Sequence, residues 1–295
     1  MPTVSVFDMF KIGVGPSSSH TLGPWRIVQR FLRELAEAPG LDSIRHLSFD
    51  LMGSLALTGR GHATDKALCL ALLGQQPETV DVAAIDAMVR QLAADRTIML
   101  GDRSIAFDPA VDIRFLRNER HPGHANAIRA RAQTSDGVIE RVYYSVGGGF
   151  IVAEGEPDDL APDRPMPPHP VRFGQDLLQH CIANDCPVSE IVLANECFWQ
   201  PESDVRAQLL HIWHCMRESI KRGCRIEGVL PGGLDVKRRA PGFLRDIVPE
   251  IERDDIEYLT RTIRAAGLPF EQLVRVISCF AIAVNEENAA MGRVV

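Results

Sequence analysis

Between Glu156 and Pro170 the chain carries six prolines, at 157, 162, 165, 167, 168 and 170. Proline removes a backbone donor and fixes φ, so neither a helix nor a ladder-paired strand runs through such a stretch. The segment splits the chain into two parts with different hydrophobic periodicities. Before it, alternating and helical patterns succeed one another. After it, every periodic segment is helical. The fold class expected is an α/β N-terminal domain, a mixed sheet with helices, over residues 1–155. A Pro-rich linker over 156–172 and an all-helical domain over 173–295 follow. The helical part reads as incomplete, because the chain stops on the apolar pair Val294-Val295 without a polar tail.

Within the first part, Leu22 to Glu37 has an apolar helical face made by Leu22, Ile27, Phe31, Leu32 and Leu35, and Pro39-Gly40 stops it. Arg45 to Leu51 alternates as a strand. Thr64 to Leu73 and Asp81 to Ala93 read as helices, and Thr97 to Phe107 and Val111 to Leu116 as short strands. Ala125 to Ala132 and Val138 to Val146 flank Ser135-Asp136-Gly137, and an Asp-Gly pair between two alternating runs marks a hairpin. Beyond the prolines, helices are expected over Gln175 to Ala183, Val188 to Glu196, Ser203 to Arg222, Arg253 to Ala266 and Glu271 to Ala290.

Composition narrows the classes of function. A net charge of −7 and no basic stripe interleaved with aromatics argue against nucleic acid as the main partner. No apolar run has the length of a membrane span, and no basic-then-apolar leader opens the chain. Seven cysteines, an odd number, point to reduced thiols in the cytoplasm. None forms Cys-x-x-Cys or a familiar cluster-binding run; Cys69, Cys215 and Cys279 lie in apolar helical patterns, and most of the seven read as buried thiols and not ligands. There is no His-Glu-x-x-His zinc spacing and no Gly-x-Ser-x-Gly elbow. Gly147-Gly148-Gly149 lacks the dinucleotide-binding pattern.

Two polar loops each carry a histidine and hydroxyls at a helix start: Gly15-Pro16-Ser17-Ser18-Ser19-His20-Thr21 and Gly59-Arg60-Gly61-His62-Ala63-Thr64-Asp65. Free N–H groups and the positive end of a helix dipole suit an anion such as a carboxylate. A histidine base needs a neighbour to fix its tautomer, and Thr64 or Asp65 is placed to do so for His62. A third cluster, His121-Pro122-Gly123-His124-Ala125-Asn126, leads into the hairpin, and together the three predict a shared cleft. Near the end, Asn285 and Asn288 share a helical face, while Glu286 and Glu287 read as a solvated pair.

The run from Ser5 to Thr21, SVFDMFKIGVGPSSSHT, strongly resembles the opening of the bacterial iron–sulfur L-serine dehydratases. The likeness continues through Gly53 to Asp65 and Tyr143 to Phe150, and reappears at Glu227 to Gly232 and Ala283 to Ala290. The resemblance implies an N-terminal β domain, similar to small-molecule regulatory domains, followed by a helical α domain. It implies conversion of L-serine to pyruvate and ammonia on a 4Fe-4S cluster, without pyridoxal phosphate. In that family an iron lacking a full set of cysteine ligands binds the substrate hydroxyl as a Lewis acid.

Carried over onto this chain, the resemblance makes His62 the base, oriented by Thr64, with His20 beside it. It gives Ser17, Ser18, Ser19 and Thr21 to the substrate carboxylate, and His124 and Asn126 to the site lining. The family's cluster-ligand cysteines lie beyond the point that aligns with Val295, and none of the seven cysteines here matches one. The chain is thus expected to hold the acid–base half of the site, to lack the cluster ligands and to be inactive alone. The alternatives are a non-catalytic serine- or hydroxyacid-binding module, and one half of a two-chain enzyme. The partners implied are L-serine and either a second copy in a homo-oligomer or a complementing α chain, with no nucleic acid and no membrane.

Overall fold

The computed structural model describes residues 3–38, 41–156, 164–231, 235–247, 261 and 269–295. The helix expected over Arg253 to Ala266 lies outside these residues apart from Arg261, as do Pro39-Gly40, Pro157, Pro162 and Gly232.

The chain opens with a single helical turn, α1 (Val6–Met9), and a two-residue strand, β1 (Gly13–Val14). A wide π turn over Ser18–Leu22 runs directly into α2 (Gly23–Glu37). Then follow β2 (Ile44–Gly53), α3 (Ser54–Thr58), α4 (Thr64–Leu72), α5 (Ile85–Asp95), β3 (Thr97–Leu100), β4 (Arg103–Ala106), α6 (Pro109–Asp112) and β5 (Ile113–Leu116). The expected hairpin is β6 (Asn126–Thr134) with β7 (Val138–Gly147), and β8 (Phe150–Ala153) completes the sheet. The helices α7 (Gly174–Asn184), α8 (Val188–Trp199), α9 (Glu202–Gly223), α10 (Ala240–Ile247) and α11 (Phe270–Ala289) precede a short strand, β9 (Arg293–Val294).

The sheet is mixed. Its order is β3-β4-β2-β6-β7-β8, with β5 also on β2. β4 and β5 run parallel to β2, and the other pairings are antiparallel. Strand alternation puts Leu47, Phe49 and Leu51 of β2 and Ile128, Ala130 and Ala132 of β6 on one face. Trp25, Val28 and Phe31 of α2 and Leu68 and Leu72 of α4 cover that face and close the core. On the opposite face, buried Asp50 lies within ion-pair distance of Arg114, Arg129 and Arg131. A second core joins Ile220 and Cys224 to Ala240, Leu244, Val276, Cys279 and Ala283. There α9 and α11 approach closely, and a Cβ on Gly223 would lie 2.3 Å from the Ala283 carbonyl.

The two parts are clasped through the N-terminal segment. The Ser5 hydroxyl and the Val6 amide donate to buried Glu196 of α8, at 2.9 and 2.8 Å. Asp8 pairs with Arg164, and β1 pairs antiparallel with β9. Residues 164–172 are irregular, as proline content requires, yet anchored: the Trp199 indole donates to the Pro165 carbonyl and Asn195 brackets His169.

Some local expectations change. Thr97 to Phe107 is two strands, not one, because Gly101 turns the chain with φ +61. Val111 and Asp112 belong to a helical turn, not a strand. Glu286 and Glu287 are not solvated but buried, at 3% and 0% exposure. Glu286 accepts the Arg239 and Ala240 amides, and Glu287 pairs with Arg238 at 2.8 Å and Arg222 at 3.2 Å. Burial of these carboxylates is tolerated because each has donors.

Candidate active site

Ser17 is extended (φ −144°, ψ 134°), and its Oγ accepts the His20 amide at 3.1 Å, capping the π turn. The turn directs the His20 ring toward α3. There its Nε2 lies 3.0 Å from Ser54 Oγ, while its Nδ1 lies 2.9 Å from Ser19 Oγ. The His62 ring stands beside it, centroid to centroid 4.7 Å. Burial, and then the neighbouring His62, hold the His20 imidazole below its ordinary value.

His62 is the last residue of a short 3-10 turn (Gly59–His62) that follows α3, and its Nδ1 lies 3.0 Å from the Thr58 carbonyl. A carbonyl only accepts, so Nδ1 carries the hydrogen and the neutral ring keeps its lone pair on Nε2. One turn of helix therefore grips both histidines, His20 through the Ser54 side chain and His62 through the Thr58 backbone. Thr58 Oγ1 donates to the Ser54 carbonyl at 2.9 Å within that turn.

Two threonines cross-link the loops. Thr21 Oγ1 donates to the His62 carbonyl at 2.8 Å and accepts the Ser17 amide. Thr64 Oγ1 donates to the His20 carbonyl at 2.5 Å. Both are fully buried. This corrects two expectations. Thr64 does not orient the His62 ring, which takes its orientation from Thr58. The Thr21 hydroxyl is occupied within the framework and is not free for a carboxylate. The Asp65 carboxylate accepts the Lys66 amide at 3.0 Å, while the hydrogen bond of the His62 ring runs to Thr58.

The third cluster lies one step further out. Asn126 Nδ2 donates to the Ser145 carbonyl at 3.2 Å, and Ser145 Oγ donates to the Ser19 carbonyl at 2.7 Å. The Asn126 Oδ1 is buried without a hydrogen-bond partner among the described residues. His124 is directed elsewhere: its Nδ1 accepts the Asn126 amide, and its ring lies 6.0 Å from that of Tyr144. Sequence reasoning passed over Ser54, Thr58 and Ser145. The signal for Ser54 was its place after a glycine at a strand end, where Gly53 has φ +58 and a Cβ would lie 2.3 Å from the Ala125 carbonyl.

Ser17 and Ser18 line a cavity of about 560 Å³ together with Lys11, Gly148, Asn285 and Asn288. Ser18 is exposed to it. Asn288 closes one wall by donating to the Pro16 carbonyl at 2.9 Å. Burial, then Arg26, lower the Lys11 pKa from its ordinary value. The cavity thus carries a cation, two hydroxyls and two amides, a donor set suited to a small carboxylate.

An iron–sulfur cluster needs several thiolates converging on one point. All seven cysteines are free, but no group of three or more Cys, His, Asp or Glu among the described residues is placed to hold a metal. Cys69 is buried in the α/β core, where burial first and Asp65 second push its thiol up to about 12. Cys224 and Cys279 are packed in the helical core. The cysteines present do not fit the cluster.

Residues 5–156 match the family model described as serine dehydratase beta chain, and residues 183–295 match that described as serine dehydratase alpha chain. Over 297 residues the chain is 41% identical to the L-serine dehydratase of Streptomyces coelicolor and 36% identical to L-serine dehydratase 1 of Escherichia coli. It is 37% identical over 303 residues to the L-serine dehydratase of Mycobacterium tuberculosis. Each alignment covers 99% of this chain, and the chain spans 61–62% of the length of these curated relatives. The first matched span contains both histidine loops, and the two matches together take in the Ser17–Ser18 cavity and the α11 wall that closes it: the chain belongs to the serine dehydratase family.

Proposed function

We propose that this chain supplies the acid–base half of an L-serine dehydratase, which converts L-serine to pyruvate and ammonia. The observation that carries the reading is the 3.0 Å approach of His62 Nδ1 to the Thr58 carbonyl: an acceptor there calls for Nδ1–H, which leaves the Nε2 lone pair of the neutral ring available as a base. Contacts of 4.7, 2.9 and 3.4 Å lead from the His62 ring through His20 and Ser19 to Ser17 on the cavity wall. In the proposed reaction the serine carboxylate lies against Ser18 and Lys11. His62 Nε2 takes the α-proton, and the Thr58 carbonyl stabilises the imidazolium through Nδ1–H. The β-hydroxyl leaves with a proton as water. The aminoacrylate then tautomerises to an imine, which water hydrolyses to pyruvate and ammonia.

The family resemblance adds a 4Fe-4S cluster as Lewis acid. Since the cysteines described here do not fit one, we infer that its ligands come from residues other than these 295, in a longer polypeptide or a complementing α chain, and that this chain alone is inactive. Leu178 and Ile182 of α7, Leu210 and Trp213 of α9 and Ile277 of α11 are exposed apolar side chains that such a chain, or a second copy, would cover. Seven free thiols are in keeping with the cytoplasm.

Calorimetry of the 295-residue chain with L-serine is expected to show binding. Supplying the remainder of a relative's helical region and reconstituting iron anaerobically is expected to give serine-dependent pyruvate. In that complemented enzyme, His62→Ala is expected to lower kcat by about 100-fold or more, and full retained activity would refute the base assignment. Binding that never leads to turnover supports the non-catalytic module instead.

A further inference from the structure

His20 is the centre of a line of groups that each donate and accept. Ser17 Oγ lies 3.4 Å from Ser19 Oγ, Ser19 Oγ lies 2.9 Å from His20 Nδ1, and His20 Nε2 lies 3.0 Å from Ser54 Oγ. Two hydrogen arrangements complete the same three bonds. In the first, Ser54 donates to Nε2, Nδ1–H donates to Ser19, Ser19 donates to Ser17, and Ser17 keeps a spare hydrogen. In the second, every bond is reversed and the spare hydrogen sits on Ser54. Neither arrangement leaves a member without a partner.

The ends differ in surroundings. Ser17 lines the cavity, whereas half-buried Ser54 begins α3 on the far side of the imidazole. The line is held rigidly. Ser54 N–H donates to the Ala125 carbonyl at 2.8 Å, and the His20 backbone is fixed at its amide by Ser17 and at its carbonyl by Thr64.

We propose that Ser17, Ser19, His20 and Ser54 form a proton relay that delivers a proton into the cavity, with Ser54 a positioning residue acting through His20. The relay rests on the dehydratase reading, in which the acceptor is the departing hydroxyl or the aminoacrylate carbon. Ser17 gives its hydrogen to that acceptor and takes the Ser19 hydrogen. Ser19 takes the Nδ1 hydrogen, Nε2 takes the Ser54 hydrogen, and Ser54 takes one from water. One proton enters, one leaves, and the line ends in its second arrangement. The return of the imidazole to its first tautomer resets it. A neutral His20 suits this role, because an imidazolium carries hydrogen on both nitrogens and blocks the transfer. The environment of His20, half-buried beside His62, disfavours the charged form.

Nitrogen NMR of the uniformly labelled 295-residue chain tests the relay without turnover. Both His20 ring nitrogens are expected at shifts midway between protonated and unprotonated values, as the two tautomers exchange. Ser54→Ala is expected to collapse them to one tautomer, and Ser54→Thr to restore the average. A single tautomer in the wild-type chain, unmoved by Ser54→Ala, overturns the relay. In the complemented enzyme, Ser54→Ala is expected to lower kcat about 10-fold or more with KM for L-serine unchanged. The rate in mixed light and heavy water is expected to bow with deuterium fraction in wild type and to become linear in the variant. A linear wild-type dependence, or a change in KM alone, refutes the relay. A complemented enzyme that makes no pyruvate refutes the dehydratase reading instead, and leaves the tautomer measurement to judge the relay on its own.

Discussion

At the scale of single residues, His20 couples the site to pH through its lowered pKa. As pH falls, the unfolded chain binds the His20 proton first, near the ordinary value of 6.5, and the folded chain resists it. Stability linked to His20 is therefore fully present above 6.5 and is lost as pH falls from there through the lower folded value. His20→Gln is expected to flatten the stability-against-pH curve over that window, read from urea midpoints. An unchanged slope would place the acid sensitivity elsewhere. Thr64 illustrates a different residue-scale lesson. Its hydroxyl holds the His20 carbonyl in a fully buried position, so Thr64→Val leaves that acceptor unpaired and is expected to cost about 1–3 kcal/mol in urea denaturation.

Among elements, α3 has the largest influence on chemistry for its size. Its first residue contacts the His20 ring and its last contacts the His62 ring. Its orientation depends on Gly53, whose φ of +58 and closeness to the Ala125 carbonyl exclude a side chain. Gly53→Ala is expected to destabilise the fold by about 1–3 kcal/mol and to move the ring resonances of both histidines together. Gly61→Ala is the control: a Cβ there meets open space and φ is ordinary, so the change is expected to be near neutral. Movement of one histidine without the other in Gly53→Ala would break the link drawn through α3.

For the whole molecule, the N-terminal segment unites the α/β and helical parts. Glu196 holds Ser5 and Val6, β9 pairs with β1, and Asn288 reaches the Pro16 carbonyl at 2.9 Å. Gly15 lies so close to α11 that a Cβ would stand 2.0 Å from the Asn288 carbonyl. Gly15→Ala must push that helix from the cavity wall. It is expected to weaken L-serine binding by about 10-fold or more, roughly 1.4 kcal/mol, in calorimetry of this chain. Unaltered affinity would show that the α11 wall takes no part in binding.

The sequence by itself determined the class of each part and most of the elements. Local periodicity, an Asp-Gly turn and a proline-dense break act over a few residues, so they are legible in order along the chain. The strand β8 and the helix α10 escaped because one is four residues long after three glycines and the other opens with Ala240-Pro241-Gly242. The two histidine loops were also legible, since hydroxyls and an imidazole at a helix start are a local pattern. Only the tertiary structure decided what each polar atom touches. The Thr64 hydroxyl meets a carbonyl 44 residues away, and the Glu287 carboxylate an arginine 49 residues away. A side-chain hydrogen bond has a reach of about 3 Å, so its partner is set by which segments folding brings together. For that reason a glutamate pair read as solvated is buried, and a threonine read as orienting one histidine holds the backbone of the other.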